Sequence, residues 1–120
     1  MARIEVRSFD SPDETRPLAG KGRVDVVSIG GKAVLRATYE PGWRWSEHVK
    51  PIARTERCES SHLLYVSSGR LRVAMDDGTE GEAAPGDVVR VEPGDDAWVA
   101  GDEPVVAVDF GASHDYGRAP

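Results

Sequence analysis

The sequence predicts an all-β protein, a sandwich or barrel of short strands, on three observations. Thirteen glycines and eight prolines cut the 120 residues into short pieces. Between these breaks Val, Ile, Tyr and Trp cluster in runs of strand length bounded by turn residues. Few windows repeat apolar residues at helical spacing over the roughly ten residues a helix needs.

The elements follow in chain order. Ile4–Arg7 reads as a first strand, and the polar, proline-containing stretch Asp10–Gly22 as a loop. Arg23–Ile29 and Lys32–Tyr39 read as strands joined by Gly30-Gly31, because glycine tolerates the positive φ of a tight hairpin. Trp43–Val49 is expected to be a further strand. Pro51–Ser60 is polar without periodicity and reads as a long inter-strand loop. Ser61–Ser67 and Arg70–Met75 flank the turn signal Ser68-Gly69, and Asp77-Gly78 precedes a strand at Glu80–Ala83. Val88–Glu92, Ala97–Ala100 and Val105–Phe110 complete the set, and Gly111–Pro120 reads as a loosely held tail. The length fits one domain over residues 1–120, with its barrel at about 23–110.

Composition narrows the partners. Hydrophobic residues make up 39% of the chain, enough for a modest core, and charged residues 30%. The net charge is -6 and the basic residues are scattered, which argues against nucleic acid or an anionic membrane as a partner. The N-terminal stretch has no apolar segment of signal-peptide type, and no apolar run is long enough to span a bilayer. The lone cysteine, Cys58, allows no internal disulfide. A soluble cytoplasmic protein is the expectation.

Two glycine-marked stretches carry the chemistry. In the first, Gly42 is followed by five residues and His48, then Lys50, and further on His62 lies seven residues before Gly69. In the second, Gly86 and Gly94 bracket Glu92-Pro93, with Asp95, Ala97 and Gly101 beyond. On these residues the chain resembles the cupin superfamily, small barrels of the jelly-roll type. The first family motif places a second histidine where Lys50 stands and a glutamate where His62 stands. The second places a histidine at Ala97 and an asparagine at Gly101, and its proline is displaced by one. The resemblance covers roughly Val34 to Phe110. It implies a single jelly-roll β-barrel with a pocket inside, often around a divalent metal, but it implies no particular reaction.

Strand parity sorts the candidate side chains, since alternate residues share a face. If His48 points into the barrel, so do Ser46 and Lys50, and Trp45 points away. His62 shares a face with Leu64 and Val66, with Tyr65 opposite. Asp95 shares a face with Ala97, and Asp96 and Trp98 face the other way. One reading is a metal site of His48, His62 and Asp95, since two imidazoles and a carboxylate suit Fe, Mn, Zn or Ni. The other is that both histidines are hydrogen-bonded residues of a pocket or surface and that Asp95 caps the Pro93-Gly94 turn. Lys50, Tyr65 and Trp45 are candidates to touch a small-molecule ligand, with Lys50 otherwise extending its charge to the rim. Cys58 reads as a loop cysteine, and His114 as a tail residue without chemistry. No nucleophile elbow, phosphate-binding loop or dinucleotide fingerprint is present.

Three functions remain open: a metal-dependent enzyme on a small acid or aromatic, a metal-free sensor or carrier, and an accessory subunit. Exposed edges on a small barrel predict a homodimer, by N-terminal strand exchange or sheet pairing.

Overall fold

The structure is a computed structural model and describes residues 3–54 and 61–111. Its strands are β1 (Glu14–Pro17), β2 (Gly22–Ile29), β3 (Lys32–Tyr39), β4 (His62–Ser68), β5 (Arg70–Met75), β6 (Glu80–Ala83), β7 (Val88–Val91), β8 (Asp95–Ala100) and β9 (Val105–Asp109). Two single-turn helices, α1 (Trp45–His48) and α2 (Lys50–Ala53), lie between β3 and β4. No described helix is long and apolar enough to cross a membrane.

The strands form two antiparallel sheets. One has six strands in the order β1-β2-β3-β9-β4-β7, and the other has three in the order β6-β5-β8. Neighbours such as β3 and β9 are far apart in sequence, so the chain crosses repeatedly between the sheets, as a jelly roll requires. One apolar cluster lies between them, with Leu35, Ala37, Leu64, Val66 and Val105 from one sheet and Leu71, Val73, Ala97 and Val99 from the other. Alternation decides which side chains reach it. Along β4, His62, Leu64 and Val66 are buried while Leu63 and Tyr65 are exposed. Along β8, Asp95, Ala97 and Val99 are buried.

Turn chemistry holds the frame. Gly30 and Gly31 both have positive φ, at 57° and 77°, and join β2 to β3 in a two-residue hairpin. Gly69, between β4 and β5, has φ 76° and sits against the start of β9. A Cβ there would lie 2.3 Å from the carbonyl oxygen of Pro104 and 2.8 Å from Val105 Cα. The backbone approach that closes the motif therefore needs glycine.

The structure differs from the sequence expectations at both ends of the chain's first half. Ile4–Arg7 joins no sheet, and β1 arises inside the segment expected to be a loop. Trp43–Val49 is not a strand. Apart from an isolated bridge between Arg44 and Trp98, it turns into α1 and then α2. Pro51, at the start of α2, has the fixed φ a first helical turn accepts. Arg54 ends α2 in the left-handed region at φ 61°. The remaining residues of the expected loop, 55–60, and the tail beyond Gly111 lie outside the described residues.

The segment before β1 is held by side chains. Asp25 is buried on β2 and accepts from Arg36 at 3.0 Å, Arg23 at 3.4 Å and the Thr15 hydroxyl at 3.0 Å, tying β1, β2 and β3 together. Arg36 also covers the Phe9 ring at 5.2 Å and donates to the Phe9 carbonyl at 3.3 Å. Arg7 pairs with Asp13, and Asp13 accepts the Ser28 amide at 2.7 Å.

Two outcomes are expected. Gly69→Ala should lower stability by about 2–4 kcal/mol, combining left-handed strain with overpacking, as read by urea unfolding. Arg7 first, and then the Ser28 amide, hold the Asp13 carboxyl below its ordinary 3.8. Its contribution to stability is thus complete above that value and lost as pH falls through the lowered folded pKa. An NMR titration should place the Asp13 midpoint below 3.8 and return it toward that value in Arg7→Ala.

Candidate functional site

The site is a small cavity between the two sheets, about 20 Å3 in volume. Its walls are apolar, with Leu64, Leu71, Val73 and Val91 among them, and its polar groups are few. They are the His62 ring, the Asp95 carboxylate and the edges of Tyr39, Trp43 and Trp45.

Each polar group is brought there by its strand. His62 opens β4 on the inward parity and is 7% exposed. Its Nδ1 lies 2.5 Å from Asp109 Oδ2, at the end of β9. The other carboxylate oxygen of Asp109 accepts the Leu63 amide at 3.2 Å and the Gly111 amide at 2.9 Å. A carboxylate at Nδ1 fixes the proton on that nitrogen and sets the ring's orientation, so the opposite edge of the ring is what His62 turns to the cavity. Asp95 opens β8 from the facing sheet and is 3% exposed. Trp43 stacks on Tyr39 with ring centroids 3.8 Å apart, and its indole Nε1 is buried without a hydrogen-bond partner among the described residues. Buried donors are rarely left unmatched, so this N–H marks a place for an acceptor.

α1, which supplies Trp45 to the cavity wall, is fixed from β8. Asp96 accepts the Ser46 amide at 3.1 Å and the Ser46 hydroxyl at 3.0 Å, so a side chain from a distant strand caps α1. Asp96 also accepts from Arg44 at 3.3 Å, and the Arg44 guanidinium lies 4.3 Å over the Trp98 ring.

Comparison with known proteins gives the architecture its name. No family model and no curated protein matches the sequence. Solved structures do. A double-stranded β-helix domain protein from Klebsiella pneumoniae has 23% identity and a TM-score of 0.61, with 98% of this chain and 95% of that one covered. An RmlC-like cupin from Shewanella frigidimarina has 18% identity and a TM-score of 0.61, covering 97% and 99%. A cupin-superfamily sugar phosphate isomerase from Silicibacter pomeroyi has 21% identity and a TM-score of 0.62, covering 92% and 77%. The fold is that of the cupins.

Within this cupin barrel, the candidates separate. His62 and Asp95 line one cavity, from opposite sheets. His48 is not among the cavity residues. Because α1 replaces the expected strand, its ring folds back on its own turn, with Nδ1 3.1 Å from the Arg44 amide and 3.2 Å from the Arg44 carbonyl. Lys50 is half-buried at the start of α2 and does not line the cavity either. The parity expected for Trp45 is corrected: helical geometry turns its side chain inward, where it is 2% exposed. Tyr65 is 44% exposed on the outer face of β4. Cys58 and His114 lie outside the described residues. Among the described residues no three His, Cys, Asp or Glu side chains gather to hold a metal ion. The two-histidine, one-carboxylate set with His48 therefore does not fit this geometry.

Sequence reading missed Asp109 and the capping role of Asp96. Asp109 had a signal: it shares inward parity with Val105 and Ala107, and an acid on a core-facing position needs a buried partner. Asp96→Ala should lower stability by about 1–2 kcal/mol through loss of the α1 cap, measured by chemical denaturation, with Asp96→Asn retaining part of it.

Proposed function

We propose that the protein is a small-molecule-binding cupin whose cavity recognises its ligand by hydrogen bonds rather than through a three-ligand metal centre. The carrying observation is the cavity's polar set: His62 braced by Asp109, with Asp95 opposite and the Trp43 ring in the wall. His48, the third ligand a metal reading needs, is bound to its own helical turn. A volume of about 20 Å3 takes a group of the size of one water molecule. The ligand therefore inserts one small polar group, and the rest of it lies toward the mouth. A hydroxyl suits the lining, because it accepts from an indole N–H while donating to a carboxylate. The ligand class is thus a small hydroxylated molecule, and the protein a sensor or carrier.

The metal-dependent reading retains one supporting observation, the joint presence of His62 and Asp95 in the cavity. A thermal-shift screen of small hydroxylated compounds, run with and without chelator, separates the two. Binding raises the melting temperature by linkage. The proposal expects hits that are indifferent to chelator, an affinity unchanged in His48→Ala, and a roughly tenfold loss in Trp43→Phe, about 1.4 kcal/mol. A stoichiometric transition metal in protein purified without chelator, or hits abolished by chelator, would overturn it.

A further inference from the structure

The cavity is too small to enclose a ligand by itself. Pockets that bind small molecules have volumes of about 300–1,000 Å3, and this one has about 20 Å3. A groove of about 390 Å3 lies beside it, between the edge strands β6 and β7. Val73 and Val91 stand in the walls of both spaces, and both are buried. The cavity and the groove therefore meet at two valine side chains.

The sequence of β6 makes the groove. Its four residues alternate a carboxylate with a small side, Glu80, Gly81, Glu82 and Ala83. Gly81 is paired with Val73 and Ala83 with Leu71, and residues directly opposite in an antiparallel pair share a face. The inward positions of this edge strand are thus nearly bare, where those of β7, Val89 and Val91, are branched. A Cβ added at Gly81 would meet nothing within 4 Å, and its φ is not in the left-handed region. Neither a turn nor a close approach of backbone calls for glycine here, in contrast to Gly69. What Gly81 supplies is the open space in front of it.

The lining states what can fill that space. The floor is apolar, with Val73, Met75 and Val89. The rim is charged but balanced. Glu80 pairs with Arg72 at 3.2 Å, Glu82 with Arg70 at 3.2 Å, and Glu92 with Arg90 at 3.3 Å. The groove therefore favours neither an anion nor a cation, and its floor leaves the hydroxyls of a polyol unmatched.

We propose that the groove holds the body of the ligand whose hydroxyl enters the cavity, and that this body is uncharged and apolar. The ligand is then a hydrophobic alcohol or phenol, not a polyol or an acid. The inference rests on the hydrogen-bonding reading of the cavity and adds where the rest of the molecule lies. The hydroxyl passes between Val73 and Val91 to the side of His62 and Asp95, and the hydrocarbon stays on the floor between β6 and β7.

The test is an NMR titration of the full chain, in chelator, with 1-alkanols from butanol to octanol, and with glycerol and hexanoate. Affinity should rise about twofold to fourfold with each methylene laid on the floor. Glycerol and hexanoate should bind at least about tenfold more weakly than hexanol. Gly81→Leu fills the groove without touching the cavity, on unstrained backbone and into open space, and should abolish the gain with chain length. Alkanols that bind without that gain, or as well in Gly81→Leu as in the wild type, overturn the groove and leave the cavity reading standing. Glycerol bound as tightly as hexanol also overturns it. If no hydroxylated compound binds, both readings fall. Should Gly81→Leu misfold, the wild type decides alone: octanol must shift the methyl signals of Val73, Met75 and Val89, and shifts confined to Leu64 and Leu71 overturn the proposal.

Discussion

A buried carboxylate organises the inner end of this barrel. Asp109 is 3% exposed, and such a group persists only where its oxygens are matched. One oxygen takes the His62 ring and the other the Leu63 and Gly111 amides. The same three contacts fix where β9 stops, where β4 begins and how the imidazole is turned. Removing one member of such a network leaves the others desolvated, at about 1–3 kcal/mol for each unmatched group. Orientation of the polar face of the cavity and pairing of the two central strands are therefore one constraint.

Much of the fold was legible because its signals are local. The runs at Lys32–Tyr39, Arg70–Met75 and Glu80–Ala83 carry strand residues between turn glycines, and the structure places strands over those residues. Parity on β4 and β8 followed from the same alternation. The failures share a different cause. Trp43–Val49 has strand-like composition, but the Asp96 carboxylate, fifty residues away from Ser46, caps a helical turn there. β1 is short and polar on one face, and it exists because Asp25 and β2 hold it. Neither effect is visible in a window of sequence.

The candidate site was legible in part for the same reason. His62 and Asp95 lie on regular strands, so parity located them. His48 lies where the secondary structure changes, and a change from period 2 to a helical turn redirects every side chain in it. Trp45 moved inward by that change and His48 folded onto Arg44. Gly69 was legible because it serves the backbone: it has no room for a side chain whatever the cavity does.

The cavity draws on residues spread from Tyr39 to Ala97, with His62 braced by Asp109. It is closed by pairings such as Leu35 with Asp109 on β3 and β9. Contacts of such long sequence separation form slowly, because loop entropy is lost before they are made. The cavity is accordingly a late product of folding. Its walls come from both sheets, so the newly made chain acquires the cavity only as the barrel itself is completed.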